Sequence, residues 1–235
     1  MPKVSIVMAC YNHSKYVSEA IQSVSKQTFT DWELVIVDDA STDQSIEVIN
    51  KAISKFKHKC RIFKHERNSG YGKTLRDAID FSRGELIAIV DSDDVISKDT
   101  LSLVVPVHNK HPEASLVYTN YMKCDSSLKK VNAARSFQIP KGKTYLDFMT
   151  GVSHLKCFKK SFYDKTVGVD STLLHTVDKD LILKLEEVGK LIYVETIGYF
   201  WRRHDDSISH SKDPKKESQT KDRIIESAKL RRSKQ

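Results

Sequence analysis

Through the first half of the chain, short apolar runs alternate with helix-spaced apolar positions, and each run ends in polar residues. Val4 to Ala9 reads as a buried strand, and the polar loop Tyr11-Asn12-His13-Ser14 follows it. Val17, Ala20, Ile21 and Val24 then fall on one helical face. Trp32 to Val37 is a second strand and runs into Asp38-Asp39-Ala40-Ser41, where Ser41 and Gln44 have the spacing of a capping box. Ile46, Ile49, Ile53 and Phe56 mark the next helix, and Arg61 to Lys64 a third strand. The glycine-bearing loop Asn68 to Gly72 precedes a helix carrying Leu75, Ala78 and Ile79. Leu86 to Val90 is a fourth strand, Thr100 to His111 a helix, and Ser115 to Tyr118 another strand. Strands and helices alternating through short links predict a parallel sheet with right-handed crossovers.

Beyond Tyr121 the pattern thins. Asp125 to Lys143 predicts a loop, and Leu155 to Phe158 a strand. Asp178 to Val188 predicts an amphipathic helix with Leu181, Leu185 and Val188 on one face. Leu191 to Val194 and Tyr199 to Trp201 read as two separate strands. From Lys212 the chain is polar, with at most a short amphipathic helix around Ile224, Ile225, Ala228 and Leu230.

Charge changes this picture only at the end. The 235 residues carry a formal net charge of +8. Lys212 to Gln235 holds nine Lys or Arg against four Asp or Glu, so most of the excess sits in that tail. A basic tail predicts a solvated segment or a peripheral contact with an anionic membrane surface. Nucleic acid is not expected as a partner, because no basic stripe interleaved with aromatics lies outside the tail. Four cysteines without a CxxC pair argue against a thiolate zinc site and predict a reducing, cytoplasmic setting. The opening apolar run is too short for a cleavable leader, and no run approaches the ~18 residues that span a bilayer.

The candidate chemistry lies where strands end. Leu86-Ile-Ala-Ile-Val runs into Asp91-Ser92-Asp93-Asp94. Carboxylates this close repel unless a cation sits among them, so the stretch reads either as a divalent-cation site or as a polar turn that caps a helix. Tyr11-Asn12 and Asp38-Asp39 close two other strands, and ligands of open α/β sheets bind at such ends. Several alternatives fall away. The first loop lacks GxGxxG, which speaks against NAD or FAD, and Gly72-Lys73-Thr74 lacks the first Walker A glycine. Counted from Asp91 as an EF-hand, position six is Ile96 and position twelve is Ser102.

Taken together, the motifs resemble the family 2 glycosyltransferases, inverting enzymes of the GT-A fold. Val4 to Asn12 looks like the family's first strand and loop, and Phe29 to Asp43 like its second strand. Gly84 to Asp94 is similar to its metal-binding stretch, and Asp178-Lys179-Asp180-Leu181 to its catalytic helix. Arg202-Arg203-His204 with Ser207-Ile208-Ser209 resembles its closing motif. The resemblance implies an α/β GT-A fold with a mostly parallel central sheet. It divides the chain into a nucleotide-sugar half (1–121), an acceptor-binding and catalytic half (122–211) and the tail (212–235).

Residue roles follow from the resemblance alone. Ala9, Tyr11, Asn12, Asp39, Asp91 and Ser92 would hold the donor nucleotide, with Tyr11 stacked on its base. Lys73 and Arg76 would reach its base or phosphates. Asp93 and His204 would hold Mn²⁺ or Mg²⁺. Asp178 would be the catalytic base, with Asp180 the second candidate, and His154, Arg202 and Arg203 would touch acceptor or phosphate. The implied reaction moves a sugar from a nucleotide donor, UDP-linked by expectation, to a glycan or lipid-linked acceptor. Capsule, lipopolysaccharide or other polysaccharide synthesis is the setting the family suggests. The bland readings stand beside these. Asp39 could cap the next helix, Asp178 could merely complement a helix dipole, and His154 could be core packing. A nucleotidyltransferase would need a glycine-rich loop after the first strand, which Tyr11 to Ser14 lacks. A non-catalytic sugar-nucleotide-binding scaffold of the same fold would retain the fold and not the acids.

Overall fold

In a computed structural model, which describes residues 1–205 and 214–234, the chain folds as an α/β sheet with helices on both faces. The elements run β1 (Val4–Cys10), α1 (Val17–Ser25), β2 (Trp32–Asp38), α2 (Ser45–Ala52), β3 (Cys60–Lys64), α3 (Tyr71–Asp80), β4 (Leu86–Ile89), β5 (Val95–Ile96) and α4 (Thr100–Lys110). Then come β6 (Ala114–Cys124), β7 (Lys130–Ala133), β8 (Lys156–Lys159), α5 (Lys160–Tyr163), α6 (Val177–Val188), β9 (Lys190–Arg202) and α7 (Pro214–Arg232). The sheet order is β3-β2-β1-β4-β8-β6-β9-β5, with β7 paired to β6. β3, β2, β1 and β4 are parallel, as are β6 and β9.

Alternation along β1 explains the two layers. Val4, Ile6 and Met8 face one core with α1 and α4, whereas Val7 faces the other with Val35, Ile87 and α3. A parallel sheet with helices on both sides needs apolar residues on both faces, and this is why these strands read as unbroken apolar runs.

The second half departs from the expected alternation. β8 enters antiparallel between β4 and β6. The two strands expected at Leu191–Val194 and Tyr199–Trp201 are one strand, β9, whose pairing with β6 shifts register within its length. Residues 195–198 therefore stay in the sheet despite their weak apolar pattern. The capping box at Ser41 and Gln44 does not form. Gln44 stands at the helix boundary without a side-chain bond, and Ser41 Oγ instead accepts the Asn12 N–H at 3.0 Å.

The tail is also corrected. Instead of a short helix, α7 runs nineteen residues and packs on α6. Ile224 is 3% exposed and Ala228 fully buried, while Arg231 and Arg232 pair with Glu187 and Glu186 at 2.7 and 2.5 Å. Among the described residues no helix is long and apolar enough to cross a membrane. Ile224→Ala is expected to cost about 2–4 kcal/mol in urea unfolding. Lys221→Ala, on the exposed side of the same helix, is expected to stay within about 0.5 kcal/mol.

Candidate active site

The carboxyl ends of β1, β2 and β4, the start of α6 and the C-terminal end of β9 border one cavity of about 520 Å³. Ala9, Tyr11, Asp39, Asp91, Ser92, Asp93, His154 and Asp178 all line it. Residues remote in sequence thus meet at the strand ends, where open α/β sheets place ligands.

Asp39 does not cap α2. Its Oδ1 accepts the Ser69 N–H at 2.8 Å and is hydrogen-bonded to His65 at 2.7 Å, while Oδ2 accepts the Gly70 N–H at 2.8 Å. It therefore ties the loop before α3 to the end of β2. Gly70 in that loop has φ +87°, and a Cβ there would lie 2.6 Å from Leu174. Only a glycine lets the loop pass this close to the segment leading into α6.

Tyr11 is 41% exposed at the cavity rim. Asn12 turns away from the cavity. It adopts a left-handed backbone, and its Oδ1 accepts the Thr42 N–H at 2.8 Å, which fixes the loop shape.

Asp91 is gripped by two tyrosines. Tyr71 Oη donates to its Oδ1 at 2.9 Å and Tyr199 Oη to its Oδ2 at 3.3 Å. Burial raises the Asp91 pKa, and Asp93 adds to the rise against the opposing charge of Lys156. Asp93 moves the other way. Burial would raise it, but the His204 hydrogen bond and the nearby imidazoles hold it below the ordinary carboxylate range. Its Oδ2 lies 2.9 Å from His204 Nε2 and 3.9 Å from His13 Nε2. One ligand-type atom from each of His13, Asp93 and His204 lies within 4.8 Å of the others. Asp94 Oδ1 accepts the Arg202 N–H at 2.6 Å, and burial pushes its pKa well above the usual value.

Asp178 lines the cavity from the first turn of α6. Lys156 Nζ approaches its Oδ2 at 3.4 Å, although Lys156 is only 2% exposed. Burial would raise the Asp178 pKa, but Lys156, His154 and Lys179 together outweigh it, Lys156 foremost, and hold the carboxylate below its ordinary value, even with 34% of the side chain open. Burial and then Lys156 push the His154 pKa well below its ordinary value, against the pull of Asp178, and its ring stacks on Tyr199 at 4.3 Å. Asp180, the second candidate base, does not line this cavity. It is buried and paired with Lys184 at 2.6 Å.

Three basic residues are redirected. Lys73 folds back on Asp77 at 2.5 Å, and Arg76 donates to the Val169 carbonyl at 3.0 Å; neither lines the cavity. Arg202 is engaged within the protein and does not line the cavity. Its guanidinium donates to Glu19 at 2.6 Å, to the Asp93 carbonyl at 2.7 Å and to the Ser126 carbonyl at 2.8 Å. It straps the Asp91–Asp94 turn in place. Arg203 is exposed, donates its N–H to the Cys124 carbonyl at 3.0 Å and does not line the cavity. Ser207, Ile208 and Ser209 of the closing motif lie outside the described residues. Among the residues without a role expected from sequence, His13, Tyr71, Lys156 and Glu217 line the cavity, and Tyr199 reaches it through Asp91.

Comparison with known proteins agrees with this layout. The chain is 29% identical over 212 residues to chondroitin synthase of Escherichia coli, which covers 90% of this chain and 30% of that protein. It is 31% identical over 215 residues to hyaluronan synthase of Pasteurella multocida, covering 90% and 22%. The chain thus spans less than a third of these curated relatives. S. aureus TarS 1-349 in complex with UDP-GlcNAc superposes with a TM-score of 0.80 at 22% identity, over 94% of this chain and 65% of that one. A mannosyltransferase from Pyrobaculum calidifontis, in complex with GDP-Man and Mn²⁺, gives 0.68 at 18%, over 88% and 59%. At these identities the two structures establish a shared GT-A fold. The family model "Glycosyl transferase family 2" matches residues 5–167, most of the chain and the whole run from β1 through β8, so the protein belongs to glycosyl transferase family 2.

Proposed function

We propose that the chain transfers a sugar from a nucleoside diphosphate donor, UDP-linked, to an acceptor hydroxyl by a single inverting displacement. The observation that carries this is the division of the carboxylates. Asp39, Asp91 and Asp93 line the cavity from strand ends, and Asp178 lines it from the first turn of α6. Transfer asks for both halves, because a diphosphate leaves as its charge grows while an acceptor hydroxyl on the opposite face loses a proton. Among the described residues no second carboxylate stands beside Asp178 on α6 facing the cavity, in keeping with one displacement. UDP-GlcNAc and GDP-Man in the named neighbours, and the glycan-synthesising relatives, support a nucleotide-sugar donor and a saccharide acceptor.

The donor set fits a divalent cation. A carboxylate and an imidazole meet at Asp93 and His204, and the buried His204 Nδ1 has no hydrogen-bond partner among the described residues. Asp93 and His204 would hold the ion, which when bound neutralises the departing diphosphate and orients it. Everything else falls to side chains. Tyr11 covers the base from the rim, and Asp39 receives a base N–H beside the loop it braces. Tyr71 and Tyr199 fix Asp91 toward the ribose. Asp178 takes the acceptor proton on its carboxylate oxygen. Lys156 keeps that carboxylate ionised, so it can accept a proton without first losing one.

The proposal is tested by a thermal-shift screen of UDP-, GDP- and dTDP-sugars with and without Mn²⁺. A UDP-sugar is expected to raise the melting temperature, and more so with the ion. No shift with any donor overturns the reading. The pH response has a definite sign. Asp178 has a depressed pKa, so its ionised form persists as pH falls and is lost only through the folded value. Lys156→Met removes the foremost of the charges that oppose burial. The acid limb of the rate profile is then expected to move to higher pH, and Lys156→Arg to restore it in part. An unmoved limb in the Met variant means that Lys156 does not set the base.

A further inference from the structure

His13 has no part in the donor contacts above, yet its ring is built into the same corner as Asp93 and His204. We propose that His13 is a third protein ligand of the divalent cation, so that this chain binds Mn²⁺ without nucleotide and prefers it to Mg²⁺. The inference rests on the reading of Asp93 and His204 as cation ligands.

Three observations carry it. The first is spacing. The ligand-type atoms are 2.9 and 3.9 Å from Asp93 Oδ2, and all three lie within 4.8 Å of one another. Ligands of one octahedral ion sit about 3 Å apart when adjacent and about 4 Å when opposite. Closing on a shared ion therefore asks for movements of an ångström or less.

The second is orientation. His13 Nδ1 is hydrogen-bonded to the buried Ser92 Oγ at 2.7 Å, which leaves Nε2 toward Asp93. Ligating histidines commonly have their second nitrogen held in this way, and the partner fixes both tautomer and ring angle. The His13 and His204 rings meet edge to face at 5.8 Å, and Tyr16 backs the His204 ring at 4.4 Å.

The third is rigidity. The His13 N–H donates to Ser45 Oγ at 2.9 Å, and its carbonyl accepts the N–H groups of Tyr16 and Val17. Ser45 is held in turn by Asp43 at 2.5 Å, and the Ser14 N–H donates to the same carboxylate at 3.0 Å. An imidazole placed so firmly beside a carboxylate is preorganised.

The chemistry then decides the ion. Mg²⁺ favours carboxylate oxygens and substrate phosphates, whereas imidazole nitrogens bind first-row transition ions better, Mn²⁺ being the weakest of that series but still more tolerant of nitrogen than Mg²⁺. One carboxylate and two imidazoles shift preference away from Mg²⁺. With three protein ligands the ion also no longer depends on diphosphate oxygens to complete its shell.

The test is Mn²⁺ binding to the nucleotide-free full chain, followed by electron paramagnetic resonance, with UDP calorimetry in parallel. The wild type is expected to bind Mn²⁺ at least about ten-fold tighter than Mg²⁺. His13→Ala should weaken Mn²⁺ by about ten-fold or more and erase that preference. In His13→Gln, which keeps a polar side chain, spin-echo modulation from two imidazole nitrogens should fall to that from one. Mn²⁺ affinity within about two-fold of wild type in both variants, or a single imidazole in the wild type, overturns the inference. If UDP binding then still requires the ion and Asp93, only the His13 assignment fails. If UDP binding shows no ion dependence in the wild type, the underlying cation reading fails as well.

Discussion

Asp178→Asn is expected to lower the turnover of sugar transfer by about 10³-fold while leaving the affinity for a UDP-sugar within about two-fold. The substitution keeps the shape of the side chain and removes its capacity to take a proton. Among the described residues the Asp178 side chain hydrogen-bonds Lys156, with His154 and Lys179 nearby; its charge reaches Asp91, but no hydrogen bond joins them. Donor binding should therefore persist. The companion Asp180→Asn separates base from scaffold. Asp180 is buried against Lys184, whose ammonium also donates to the Gly168 carbonyl at 2.8 Å. Removing that carboxylate strands a buried charge and should cost about 3–5 kcal/mol of folding stability. Turnover per folded molecule should change little. Full turnover in Asp178→Asn would move the base elsewhere. Steady-state kinetics with donor in excess, beside urea melts of both variants, gives the comparison.

Asp93→Ala is the second large effect. It should abolish the part of UDP affinity that depends on Mn²⁺, about 100-fold or roughly 2.8 kcal/mol. Asp93 is the carboxylate that meets the His204 imidazole, and Asp91 is already engaged by Tyr71 and Tyr199. The variant should fold well. Asp91, Asp93 and Asp94 repel one another, and removing the middle charge relieves both neighbours. Calorimetry with and without Mn²⁺ decides it, and equal ion dependence in wild type and variant contradicts the assignment.

The strand-end acids were legible because each closes a buried apolar run. Leu86 to Val90 ahead of Asp91 announces a strand, a direction and a terminus in one stretch. Asp178 was visible as an acid at the start of an amphipathic helix. What escaped was set by long-range geometry. Lys156 lies in β8, and only the antiparallel insertion of that strand between β4 and β6 carries its ammonium to Asp178. His13 looked like a loop residue until Ser45 and Ser92 fixed its backbone and ring. Tyr71 and Tyr199 reach Asp91 from α3 and β9, which no local spacing reveals.

Charge was the least reliable guide. Lys73, Arg76 and Arg202 drew phosphate roles from their sign and place in the motif, but each is taken up by a nearer oxygen. The basic tail shows the same bias. Its charges suggested a solvated segment, while two buried positions one helical turn apart, Ile224 and Ala228, dock it on α6.

The central claim is that Asp178 serves an inverting transfer from a nucleotide sugar, and hydrolysis of the donor tests it without an acceptor. Water can take the acceptor's place, so proton NMR of the wild type with UDP-GlcNAc and Mn²⁺ should show the β-anomer of the released sugar first, before mutarotation. The rate should collapse in Asp178→Asn. Release of the α-anomer first, or hydrolysis indifferent to Asp178, contradicts the claim.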